Sequence, residues 1–178
     1  VVPVGGGKMG VQTGKFVVRL KHVSNAPGHR PPTSQTISLA ATHDGKLQAI
    51  KHVSHTLTSP VAEWAESCGA RSSGVMYASP AIDIEETVYP VNIASPTFMR
   101  APGECPGVYA LECALDELSY LLQMDPVQLR LVSHADNQPI TDVPFSAKHL
   151  MESYQLVAAN FGCSKRQAMP AQLRHTHH

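Results

Sequence analysis

The chain has 178 residues, 43% of them apolar and only 16% charged, with a formal net charge of zero. That size suits one domain or slightly more, with an ordinary core. Its Lys and Arg residues are scattered, with no run longer than Lys165-Arg166, which argues against a general nucleic-acid surface, and no apolar run approaches the roughly 20 residues of a membrane span.

In chain order, Gly5-Gly6-Gly7-Lys8 comes first. It lacks the spacing of a phosphate loop and reads either as backbone able to approach a ligand or as a flexible stub. Phe16 to Val23 is β-rich. Pro27-Gly28-His29-Arg30-Pro31-Pro32 cannot be helical, because its prolines remove donors and restrict the residues before them. Residues 34–58 predict a β-hairpin turning at His43-Asp44-Gly45. Its second strand carries an apolar face of Leu47, Ala49, Val53 and Leu57, with one slip that reads as a bulge. Val61 to Glu66 predicts a helical turn, and residues 82–93 a strand that Pro90 pushes to a sheet edge.

The second half predicts helices. Val108, Leu111, Leu115, Leu118 and Leu122 recur at steps of three and four, after a first-turn Pro106. A second helix starts at Asp125-Pro126, with Asp as its N-cap. A third runs from a Ser146 cap to Gly162, a natural C-terminal glycine. Strands first and helices after imply an α+β fold, a hairpin-containing sheet packed by three helices. The β-rich part is 13–93, the helical part 106–162, and 164–178 reads as a frayed tail. Four cysteines, at 68, 105, 113 and 163, form no CxxC pair, and Cys105 and Cys113 read as small buried hydrophobes. The tail Arg174 to His178 holds three histidines, either a metal tract or a vestigial end.

Met99-Arg100-Ala101-Pro102-Gly103-Glu104 opens directly into the first helix. An arginine on a proline-flanked loop can offer a forked donor to an oxo group, phosphate or carboxylate; equally, it can bond backbone carbonyls at a strand-to-helix corner. MRAPGE, then MDPVQLRL, then PFSAKHL and a helix ending in FG, resembles the molybdopterin-binding subunit of the xanthine dehydrogenase and aldehyde oxidoreductase family over roughly 13–163. The resemblance implies a partial molybdopterin-binding domain within 1–163 and a molybdenum–molybdopterin cofactor. It also implies hydroxylation of an aldehyde or purine-like heterocycle with water-derived oxygen, and partners carrying FAD and [2Fe–2S] clusters. The candidate cofactor-binding residues it implies are Met99, Arg100, Ala101, Pro102, Gly103 and Glu104.

Two departures qualify the resemblance. The family's glycine loop normally carries an aromatic residue and a following helix, both missing after Gly7, and the family's catalytic glutamate segment has no counterpart here. The expectation is therefore a fragment inactive alone, with no catalytic residue of its own. The competing expectation is a non-catalytic interaction module, or a decayed paralogue, that binds partner subunits. Arg71 reads as a surface arginine, and Gly28-His29-Arg30-Pro31 as a structural segment opening a strand. No signal peptide is visible, which leaves cytoplasm and periplasm open.

Overall fold

The computed structural model describes residues 29–166. Strand β1 (Thr33–Ala41) and strand β2 (Leu47–Thr58) form the antiparallel hairpin expected from the sequence. Its turn is closed by Gly45 N–H donating to the Thr42 carbonyl at 2.9 Å. The pairing steps from Ala40–Ala49 to Ala41–Leu47, so Gln48 is the extra residue of the anticipated bulge.

That bulge decides which face of β2 is buried, because one extra residue reverses the alternation of side chains. Leu47 is inward before it; Ile50, His52, Ser54, Thr56 and Thr58 are inward after it. The face expected from Ala49, Val53 and Leu57 is only half-buried. Much of the buried polar face finds partners, as burial requires. His52 Nδ1 lies 2.8 Å from Ser73 Oγ, and its Nε2 lies 3.0 Å from Gln35 Oε1. The Thr58 hydroxyl accepts from the Trp64 N–H at 2.9 Å.

Residues 59–80 cross over to strand β3 (Ala81–Pro90), which runs parallel to β2. Parallel strands need such a long connection. The sheet order is β1-β2-β3, so β3 holds the edge position that Pro90 demanded. The helical turn expected at Val61 to Glu66 is not formed. Helix α1 (Cys68–Arg71) lies just beyond it, its first N–H groups held by Glu86 from β3, with Gly69 N–H donating to Glu86 Oε1 at 2.9 Å.

Helix α2 (Glu104–Leu121) packs on β1 and on α1. Leu111 and Leu115 are fully buried against Leu47, Ile50, Tyr77 and Leu129, while Leu118 and Leu122 pack at the margin, which matches the expected stripe. Helix α3 (Pro126–Val132) starts as predicted, with Asp125 accepting from Val127 N–H at 2.9 Å and Gln128 N–H at 3.0 Å. Arg130 of α3 is buried and clasps α2 through Glu112 Oε2 at 2.6 Å and Asp116 Oδ1 at 2.9 Å. Burial opposes the guanidinium's charge, but these carboxylates outweigh it and raise its pKa. Tyr77 joins the group by donating to Glu112 Oε1 at 2.6 Å.

Helix α4 (Leu150–Phe161) begins at a His149 cap, three residues later than the Ser146 cap expected, and ends at Gly162 in the left-handed conformation. No residue of α4 is buried; it touches the rest through α3 and through Tyr154, whose hydroxyl lies 3.2 Å from that of Tyr77. A short 3-10 turn, Cys163–Lys165, replaces the start of the anticipated frayed tail. The glycine run at 5–7, the strand at 16–23 and the histidine-rich end lie outside the described residues. Among the described residues, no helix is long and apolar enough to cross a membrane.

Candidate cofactor site

The loop Met99–Glu104 joins the end of the sheet to α2, and its backbone is fixed from behind. Arg30, on the segment that opens β1, reaches across to it. Its Nη2 donates to the Arg100 carbonyl at 2.6 Å and its Nη1 to the Ala101 carbonyl at 3.2 Å. The same Nη1 pairs with both carboxylate oxygens of Glu66, at 3.0 and 3.1 Å. The Glu66 side chain is fully buried, and its Oε2 also accepts from the Gly103 N–H. A buried carboxylate needs such partners to remain charged without a large desolvation penalty. Upstream, Thr97 N–H donates to the His29 carbonyl at 3.0 Å, tying the two segments together.

This clamp supports an unusual backbone. Ala101 has φ +58°, a conformation disfavoured for L-residues by about 1–2 kcal/mol. Gly103 has φ +82°, and a Cβ there would lie 2.6 Å from the Ser67 carbonyl oxygen and 2.9 Å from Arg71 Cγ. Gly103 is thus required twice, by its dihedral and by the approach of α1's N-terminal end. Gly107, one turn into α2, is required by contact alone, since its Cβ would lie 2.3 Å from the Cys68 carbonyl oxygen.

The six predicted residues therefore divide by role. Gly103 is buried; Pro102 and Glu104 are half-buried; Met99, Arg100 and Ala101 are exposed. The alternative role considered for Arg100, bonding carbonyls at the strand-to-helix corner, is filled by Arg30. Among the described residues, the Arg100 guanidinium forms no hydrogen bond or ion pair, and Arg100 and Ala101 N–H groups donate to nothing. Glu104 Oε1 lies 3.9 Å from Arg71 Nη1, while its Oε2 is buried with no partner among the described residues. Arg71 is largely exposed, as expected, and belongs to the loop through Glu104.

Sequence reasoning missed Glu66 altogether. The only available signal was a lone acid between Trp64-Ala65 and the small residues of α1, with nothing to pair it to Arg30. It also misread two cysteines: Cys105 and Cys113 are exposed on α2, because the buried stripe passes through Leu111 and Leu115 instead. Cys68 is the buried one, its thiol pushed up to about 11 by burial and then by the charges of Glu66 and Glu86. Among the described residues, no group of three or more His, Cys, Asp or Glu side chains is arranged to hold a metal ion directly.

Comparison with known proteins identifies the family of this domain. The family model described as the molybdopterin cofactor-binding domain matches residues 12–133. The chain belongs to the molybdopterin cofactor-binding domain family. The cofactor class implied by the loop motif is thus the one this family carries. A curated relative is the aldehyde oxidoreductase molybdenum-binding subunit PaoC of Escherichia coli strain K12. It is 32% identical over 161 residues, covering 90% of this chain and 22% of the relative. Aldehyde oxidoreductase from Desulfovibrio gigas superposes with a TM-score of 0.70 at 24% identity, over 77% of this chain and 16% of that one. Quinoline 2-oxidoreductase from Pseudomonas putida 86 superposes with a TM-score of 0.65 at 18% identity, over 74% and 18%. Those two likenesses show a shared fold for this molybdopterin-binding domain. The chain spans about a fifth of the length of the curated relative it matches.

Proposed function

We propose that loop Met99–Glu104 contacts the molybdenum–molybdopterin cofactor, and that the domain serves an aldehyde-oxidising molybdenum hydroxylase, with FAD and [2Fe–2S] centres on partner subunits. The observation that carries this is the division of labour in the loop. The Arg100 and Ala101 carbonyls and the Gly103 N–H are engaged by Arg30 and Glu66, whereas the Arg100 guanidinium has no partner among the described residues.

The residues fit the group chemically. A molybdopterin has an anionic phosphate and metal–oxo end and a pterin edge rich in N–H donors. Arg100 suits the anionic end, since its planar fork of N–H donors matches oxygen pairs. The orphaned Glu104 Oε2 suits an N–H donor, because a buried carboxylate oxygen left unpaired is costly until a donor reaches it. When bound, the cofactor supplies the two-electron oxidation. The chain's own part is to fix the loop, hold positive charge at Arg100 and present an acceptor at Glu104. The aldehyde preference follows from the relative at 32% identity.

The test is cofactor retention. Protein incubated with molybdenum-loaded molybdopterin and separated by ultrafiltration should hold pterin and metal together. Arg100→Ala should weaken that affinity by about 1.5–3 kcal/mol, the range for one charge-assisted bond, without altering the thermal midpoint. Equal retention by wild type and Arg100→Ala contradicts the reading.

A second reading, a surface for partner subunits, is favoured by α4. Leu156, Val157 and Phe161 are 64%, 62% and 85% exposed along it. The two readings are compatible, since they use different ends of the chain's helical half.

A further inference from the structure

We propose that Arg30 and Glu66 are positioning residues for the cofactor loop: an ion pair, buried at its Glu66 end and partly exposed at Arg30, that sets how Arg100 and Glu104 are presented, although neither member touches the cofactor. The inference rests on the cofactor reading of Met99–Glu104 and extends it to two residues distant in sequence.

The geometry is that of a three-way junction. Arg30 belongs to the segment before β1, Glu66 to the crossover before α1, and the loop to the start of α2. Glu66 makes two bonds to one guanidinium nitrogen and receives a third from Gly103. Arg30 then delivers the carbonyls of two successive residues, Arg100 and Ala101. Fixing both carbonyls fixes the peptide planes on either side of Ala101, and hence its positive φ. The side chain of Arg100 leaves the same peptide, so its direction follows from the clamp. Gly103 N–H, held by Glu66, stands immediately before Glu104, so the acceptor carboxylate follows too.

Charge and shape both matter here. Glutamine at 66 keeps the volume but replaces one acceptor oxygen by a donor, which opposes either Arg30 or the Gly103 N–H. Lysine at 30 keeps the charge but has one terminal nitrogen, which cannot span Glu66 and two carbonyls in a planar fork.

The bond between Arg100 and Ala101 is a trypsin site, which gives a direct reading of loop order. Glu66→Gln and Arg30→Lys should each raise the rate of cleavage after Arg100, and the exchange rate of the Gly103 amide, by about tenfold or more, the scale of one charge-assisted hydrogen bond. The urea midpoint and the exchange of α2 amides around Leu111 should change far less. Molybdopterin affinity should fall by about tenfold in the same variants. If Glu66→Gln does not fold, Arg30→Lys, which keeps a cation beside the Glu66 carboxylate, carries the test. Unchanged loop protection overturns the clamp. A loosened loop with unchanged molybdopterin affinity overturns its positioning role. A loss of α2 protection as large as that of the loop reduces the pair to general stability and also overturns it. Failure of the cofactor reading is seen separately, as equal affinity in wild type and Arg100→Ala.

Discussion

Gly107→Ala adds one methyl group and tests the packing on which the loop depends. The new Cβ would lie 2.3 Å from the Cys68 carbonyl oxygen, 2.9 Å from Cys68 C and 2.8 Å from Ser72 Oγ. Ordinary carbon contacts lie near 3.5–4.0 Å, so α1 and α2 must separate by about 1 Å. Two of the three atoms are backbone, and that backbone is held: Cys68 N–H donates to the Glu66 carbonyl at 3.0 Å, and Ser72 Oγ donates to the Cys68 carbonyl at 2.5 Å. The clash therefore belongs at the upper end of the overpacking range, about 3 kcal/mol. Alanine's better helix propensity returns about 1 kcal/mol, leaving a net loss of about 2 kcal/mol. In urea that corresponds to a midpoint lower by about 1 M, for a slope of about 2 kcal/mol/M. A midpoint equal to or above that of the wild type would mean that helix propensity outweighs contact, and would refute the close α1–α2 approach.

Other outcomes follow from the core and its charges. Leu115→Ala, at a fully buried site in the main cluster, should lower stability by about 2–5 kcal/mol in the same urea measurement. Arg130→Met leaves Glu112 and Tyr77 facing each other without their cation and should cost about 2–4 kcal/mol, discounted because Glu112 is partly exposed. The double variant Arg130→Met, Glu112→Met should recover part of that loss; simple additivity would argue against the pairing. Burial lowers the pKa of His52 from 6.5, so the unfolded chain binds this proton more readily than the folded one. Its contribution is complete above the unfolded value of 6.5 and drains as pH falls from there through the lowered folded value. His52→Gln should flatten the stability–pH slope in that window, and an unchanged slope would remove His52 from the account.

Much of this architecture was legible because local chemistry and global packing agree. The Asp44-Gly45 turn, the Asp125 cap and the leucine stripe of α2 each announce an element, and each stands where expected. The face of β2 was not legible, because the bulge at Gln48 reverses the alternation and brings polar residues inward. Their partners, Gln35 and Ser73, lie on other elements, and no local pattern reveals them. The motif singled out the loop as a candidate, but gave no sign of what supports it. Arg30 and Glu66 stand 36 residues apart and meet only after the crossover has formed. The late start of α4 has a similar cause. Ser146 is a good cap in isolation, yet α4 starts from its His149 cap, after Lys148 Nζ has reached back to the Ala135 carbonyl at 2.6 Å, a contact distant in sequence that no cap pattern announces.

The central claim is that the loop held by Arg30 and Glu66 faces the molybdenum-bearing pterin. The most direct measurement is a crystal structure of the cofactor-loaded protein, with the metal located by anomalous scattering at its absorption edge. The account expects cofactor density within hydrogen-bonding reach of Arg100 or Glu104, with the Arg30–Glu66 pair intact behind the loop. Cofactor seated away from Met99–Glu104, with the Arg100 guanidinium still in solvent, would contradict it.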